Sequence, residues 1–171
     1  MRGHWIVAIA APLVLAMTGA RAGGTMVAVF DFELVDTSLE GATYGPRPDE
    51  QARLDRLGDE LRQGLAKSGR VEIVDIAPVE ARARASNLRA CGGCDAGFAR
   101  ELGAKFAVTG WVQKISNLIL NVNVSVRDAG TGKVVAGKSV DMRGNTDETW
   151  SRALDWLLRN FFFGSDQKVF Q

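Results

Sequence analysis

The sequence predicts an α/β (α+β) domain: a mixed sheet of about five strands in the order β-α-β-(α)-β-β-β-α, with two main helices packed on one face. Three observations carry this. Leu118, Leu120, Val122, Val124 and Val126 alternate with Asn121, Asn123, Ser125 and Arg127, the period of a half-buried strand, inside a run from Lys105 to Asp141 that reads as a three-stranded meander. An apolar strand, an amphipathic helix and a second strand open the chain, which is the pattern of a β-α-β unit. Near the end, Trp150, Ala153, Leu154, Leu157, Leu158, Phe161 and Phe162 share one helical face.

Before the first strand, MRGHWIVAIAAPLVLAMTGARA has a basic start, an apolar run from Trp5 to Met17 and small residues at Ala20 and Ala22. This reads as a cleaved secretory signal over 1–22, leaving a single domain over 23–164 and a polar tail over 165–171. The apolar run is short for a membrane span, so no stable membrane insertion is expected after cleavage. Arg2 and Arg21 leave with the signal, so the 21 Lys and Arg become 19 against 20 acids. That balance gives no electrostatic footprint for nucleic acid. The sole histidine, His4, leaves too. A mature chain without histidine hosts no Ser-His-Asp triad, no Cys-His dyad and no His-ligated zinc.

Met26 to Val35 reads as one buried strand inside the sheet. Asp36 to Asp49, with Gly41, Gly45, Pro46 and Pro48, reads as a loop. Its acids Asp36, Glu40 and Asp49 lack EF-hand spacing, which favours a solvated loop over a calcium site. From Pro48 to Ser68, Leu54, Leu57, Leu61 and Leu65 make a core-facing stripe, with Pro48 suited to the first turn and Gly69 to the stop. Arg70 to Ile76 then forms a second strand, parallel to the first by the right-handed crossover rule. Pro78 to Ala90 reads as a short exposed helix or ordered loop, with Arg82, Arg84 and Arg89 on a solvated face. Ala96 to Leu102 is a short helix stopped by Gly103.

The meander strands are Lys105 to Ile115, Leu118 to Asp128 and Lys133 to Met142, with turns at Ser116-Asn117 and Gly130-Thr131-Gly132. Gly110 marks a bulge or a close backbone contact, and Trp111 is expected in the core. Asn145 is placed to cap the last helix, with Glu148 reciprocating. Gly164 ends that helix, and Val169 and Phe170 in the tail either dock or fray.

Two stretches carry candidate chemistry. Cys91 and Cys94, two residues apart in an exported chain, read most simply as a disulfide whose small loop contributes about 2 kcal/mol. A redox-active pair is the alternative, with Cys94 near a helix start. Against it, a thioredoxin site follows the first strand of its βαβ unit, whereas this pair follows the second. Asp95 stands where a c-type haem motif needs histidine, and two thiolates alone are a poor zinc site, so no metal or cofactor is expected. The second stretch joins the last strand to the last helix. Arg143, Asn145, Asp147, Glu148 and Trp150 there are candidate ligand or partner contacts, because free N–H groups at a helix start bind anions. Helix capping explains the same polar residues locally.

The segments VAVFDFELVDTSLEG, LGDELRQGLAKSGRVEIVD, LGAKFAVTGWVQKISNLIL and RGNTDETW, with the cysteine pair, resemble a family of secreted proteobacterial proteins classed as a domain of unknown function. More distantly, the order is similar to the TolB-type amino-terminal α/β domain and to curli-secretion and penicillin-binding-protein-activator domains. The resemblance implies a periplasmic accessory domain with an envelope protein partner, acting by contact in envelope assembly or transport. This chain has neither a β-propeller nor the lipobox of the lipoprotein relatives. Three functions follow in order: a non-enzymatic contact protein, a thiol-disulfide redox protein using Cys91 and Cys94, and a small-ligand or anion-binding module.

Overall fold

Every second residue of the meander faces a helical layer, and that alternation fixes the architecture. The computed structural model describes residues 24–164 and 169–170. The expected signal over 1–22 lies outside the described residues. Six strands form one mixed sheet: β1 (Thr25–Val29), β2 (Glu33–Asp36), β3 (Val71–Ile73), β4 (Phe106–Lys114), β5 (Leu120–Asp128) and β6 (Val134–Met142). The order is β3-β1-β4-β5-β6, with β2 also paired to β4. β3 runs parallel to β1, β1 and β2 run parallel to β4, and the meander is antiparallel.

Two helices cover one face: α2 (Pro48–Lys67), which follows the short α1 (Leu39–Tyr44), and α5 (Asp147–Trp156), which runs on as a π-helix over Leu157–Phe162. Leu54, Leu57, Leu61 and Leu65 of α2 pack with Trp150, Leu154, Leu157 and Phe161 against Val27, Val29, Val108, Val122, Val124 and Val126. Each of those four leucines is almost wholly buried, worth roughly 2 kcal/mol apiece. A smaller cluster forms on the opposite face, where α3 (Glu80–Ala85) and α4 (Cys94–Glu101) bring Ala83 and Ala99 onto Ala28, Phe30 and Ala107. The domain therefore has a partial third layer beyond the two expected.

The first strand is not continuous. Val29 pairs with Val108 but Glu33 pairs with Trp111, so the first segment carries one more residue than β4 across the join. That extra residue is a bulge, and it flips side-chain parity: Val27 and Val29, then Phe32 and Leu34, face the main core. Gly110 sits opposite. A Cβ there would run into the Phe32 ring, so the close neighbour is a side chain where the sequence suggested a bulge or a backbone contact.

Four further corrections are local. The expected loop after β2 contains α1, capped by Ser38, whose hydroxyl accepts from Gly41 N at 3.0 Å. β5 starts at Leu120, because Leu118 and Ile119 point to solvent in the turn. Trp111 is half-buried on the polar open face beside Asn123, outside the core. α5 is capped by Thr146, with Thr149 reciprocating, in place of Asn145 and Glu148. The tail docks: Phe170 lies 5.7 Å from Phe106 and 5.8 Å from Phe162, ring to ring.

Candidate functional site

Beyond the bulge, β2 has a neighbour on one side only. Thr37 N donates to Lys114 O, and in a parallel ladder alternate residues bond the same neighbour, so Glu33 and Val35 face β4 as well. The backbone N–H and C=O of Leu34 therefore point away from the sheet. β3 occupies that outer side next to β1 but departs after Val74, whose N–H donates to Val27 O. Among the described residues no strand continues its line beside β2.

A groove of about 670 Å³ fills this position. Phe30, Phe32 and Leu34 line it from the strand side, Gln51 and Asp55 from α2, and Ala83 to Leu88 from the α3 side. A second hollow of about 510 Å³ continues past Leu34 and Gln51 to α1. At the other end Asp31 accepts from Arg62 of α2 and from Arg84 of α3, the latter at 3.0 Å. Arg62 also donates to Val29 O at 3.2 Å, occupying the last outward carbonyl of β1. The wider groove is lined by four carboxylates, Asp31, Glu33, Asp55 and Glu80, and by one guanidinium, Arg84. Its potential is negative.

The far end of β2 is held by a buried ion cluster. Lys114, with no exposed surface, reaches Glu50 at 2.6 Å, Glu40 at 2.9 Å and Asp36 at 3.3 Å. Burial pulls the Lys114 pKa down, but hydrogen bonds to Glu50 and Glu40 outweigh it and hold it above its ordinary value. Hydrogen bonds from Lys114 and Asn117 hold the Glu40 carboxyl below its own. Burial raises Asp36, yet hydrogen bonds from Ser38 and Lys114 leave it lowered.

Asn145 belongs to the same cluster, donating to Glu50 at 2.6 Å and Asn117 at 3.1 Å and accepting from Trp150 Nε1 at 3.0 Å. Of the other sequence candidates, Trp150 is in the core, Asp147 bridges Arg53 and Arg56, Glu148 pairs with Arg152, and Arg143 is exposed. Arg53 lowers the Asp147 carboxyl by direct hydrogen bonding. The structure thus brings Asn145 and Trp150 together, facing inward, and leaves Arg143, Asp147 and Glu148 on the surface.

Cys91 and Cys94 stand at the mouth of α4, their sulfurs in close contact and their Cα atoms 5.8 Å apart, a separation a disulfide spans. Next to them Asp95, almost wholly buried, takes Arg127 Nε at 3.0 Å and ties the start of α4 to β5.

Sequence reasoning missed the groove and the Lys114 cluster. The available signal was Asp31 and Glu33 inside an apolar strand, where a continuous buried strand has no use for charge.

Fold and site together define a small α/β domain with an accessible strand edge. Over residues 25–162 the chain matches the DUF3280 family model, described as "Protein of unknown function (DUF2380)", and it belongs to that family. No curated protein sequence matches it. Among solved structures, the LpoB C-terminal domain from Salmonella enterica is similar at 14% identity and a TM-score of 0.51, covering 73% of this chain and 87% of that one. The NMR structure of E. coli LpoB gives 15% identity and a TM-score of 0.51 over 72% of this chain and 58% of that one. TolB from Acinetobacter baumannii gives 12% identity and a TM-score of 0.42, covering 80% and 28%. The likeness to LpoB shows a shared fold. No helix among the described residues is long and apolar enough to cross a membrane.

Proposed function

We propose that this protein is a non-enzymatic accessory protein of the bacterial periplasm, exported by cleavage after Ala22, that acts by protein contact in envelope assembly or transport. The observation that carries this reading is the outward edge of β2 lying in a groove between two helical walls. An unpaired edge in a recess is a surface on which a second chain gains main-chain hydrogen bonds. The likeness to the LpoB C-terminal domain supports the fold alone, and the envelope setting rests on the export signal read in residues 1–22.

In this reading Cys91 and Cys94 form a structural disulfide that pins the entry to α4. The experiment is crosslinking in intact cells followed by purification from the periplasmic fraction and mass spectrometry. The expected result is one envelope protein recovered repeatedly by the wild type and by Cys91→Ser/Cys94→Ser. A folded double variant that captures nothing would shift the function to the thiols. Edman or intact-mass analysis of the periplasmic protein, expected to begin at Gly23, tests export.

A further inference from the structure

We propose that the groove along β2 is a strand slot that takes an extended, basic segment of a partner protein, which adds to the sheet beside Leu34. This rests on the protein-contact reading and names the partner's chemistry. The sheet is continuous elsewhere: β1 has neighbours on both sides, and β3 runs in the same line that the incoming segment would extend.

Geometry sets the backbone requirement. Leu34 offers an outward N–H and C=O, and alternate residues of an added strand meet them. Side chains of that strand face two different environments. Toward α2 lie Phe32 and Leu34 of the main core and toward α3 lies Leu88 of the smaller cluster, and both walls suit small apolar residues. On the rim stand Asp55 and Glu80, which suit lysine or arginine. Arg84 is already engaged by Asp31 and Glu80, so the excess charge of the rim is negative. An acidic segment would meet repulsion there.

β3 and β6 end the strand order; β3 is only three residues long, and β6 is less suited for other reasons. A register irregularity at Val126/Arg127 interrupts its ladder, and Lys138 projects from it over Trp156. Bulges and edge lysines are the devices by which proteins discourage strand addition. β2 carries no lysine, and its bulge lies ahead of Glu33, before the residues an added strand would pair.

The test uses the purified protein and a synthetic heptapeptide of alternating lysine and valine with blocked ends. Two controls accompany it: the same peptide N-methylated at alternate amides, and a glutamate-for-lysine analogue. The readouts are affinity and hydrogen exchange at the Leu34 amide. The lysine peptide is expected to slow exchange at Leu34 by at least about tenfold. The N-methylated peptide should not do so. The glutamate analogue should bind about tenfold more weakly at low salt, and Asp55→Lys/Glu80→Lys should weaken the lysine peptide to a similar degree while leaving the circular dichroism spectrum unchanged.

Equal binding by the N-methylated or glutamate peptide overturns the proposal, as does unchanged exchange at Leu34. So does a Leu34 amide already protected in the free protein, concentration-independently by its own chain or on raising the concentration by a second copy. Partner capture in cells that survives Asp55→Lys/Glu80→Lys moves the contact off this groove and leaves the broader reading standing. Absence of any captured partner with the wild type removes the broader reading itself.

Discussion

Replacing Lys114 by methionine removes the only cation that Glu50, Glu40 and Asp36 share in the cluster at the end of β2. At 2.6 Å and an effective dielectric of about 20, the Lys114–Glu50 attraction alone is about 6 kcal/mol before desolvation. Most of that offsets the transfer of both charges out of water. What remains after the substitution is Glu50, 1% exposed, whose Oε2 already has no hydrogen-bond partner among the described residues. An uncompensated charge of this kind costs about 3–5 kcal/mol, roughly a fifth or more of the stability of a typical domain. With a urea slope of about 2 kcal/mol/M, the midpoint should fall by about 2 M. The companion variant Lys114→Met/Glu50→Met removes both charges and should recover at least half of the loss. Urea titration followed by tryptophan fluorescence reads both. A single variant within about 1 kcal/mol of the wild type, or a double variant no better than the single, would refute the argument that the charge left behind is what destabilises.

Stability should hold flat from about pH 5 to about pH 10 and fall on both sides. Asp36 and Glu40 have lowered folded pKa values, so their contribution is present above their ordinary 3.8 and 4.5 and is lost as pH falls through the folded values. Lys114 is raised above 10.5, so its share is intact below that value and is lost as pH rises through the folded one; chemical denaturation across pH measures both limbs. Gly110→Ala should cost about 1–3 kcal/mol, because the added methyl meets the Phe32 ring, and Phe32→Leu in the same chain should relieve part of it. Cys91→Ser/Cys94→Ser should lower stability by about 2 kcal/mol without changing the fold, read by thermal melting under oxidising conditions. Phe170→Ala should cost about 2 kcal/mol, since a half-buried ring packed on Phe106 and Phe162 is lost. No change there would mean that the tail contributes nothing.

Most of the fold is legible in the sequence because most of it repeats a period. Leu54 to Leu65 and Trp150 to Phe162 declare their helices, and Leu120 to Val126 declares β5, each through residues only a few positions apart. The splitting of the first strand is not legible in that way. A one-residue bulge shifts the apolar parity from Val29 to Phe32, and an apolar run with shifted parity still resembles a buried strand. The Lys114 cluster escapes for a different reason: Glu40 and Glu50 lie 74 and 64 residues away, and no local spacing announces a pairing made by topology. Asn145 and Thr146 are both good capping residues, and the choice between them fell to Glu50, which holds the asparagine side chain elsewhere. α1 hides among Gly41, Gly45 and Pro46, where turn-forming residues outweigh six helical positions.

The bulged first strand also sets an order of assembly. The β4–β5–β6 hairpins join neighbours in sequence, so they close cheaply and early. β2 finds its place only when Thr37 meets Lys114, 77 residues away, after the whole β4 segment has emerged and ordered. A newly made chain is therefore expected to pass through a stage in which the meander exists and β1 and β2 have not yet joined it. In the finished protein, local opening should retrace this order, with amide exchange fastest along β2 and slowest along β5. β2, whose edge is proposed to take a partner, is thus among the last elements to be built and among the first to loosen.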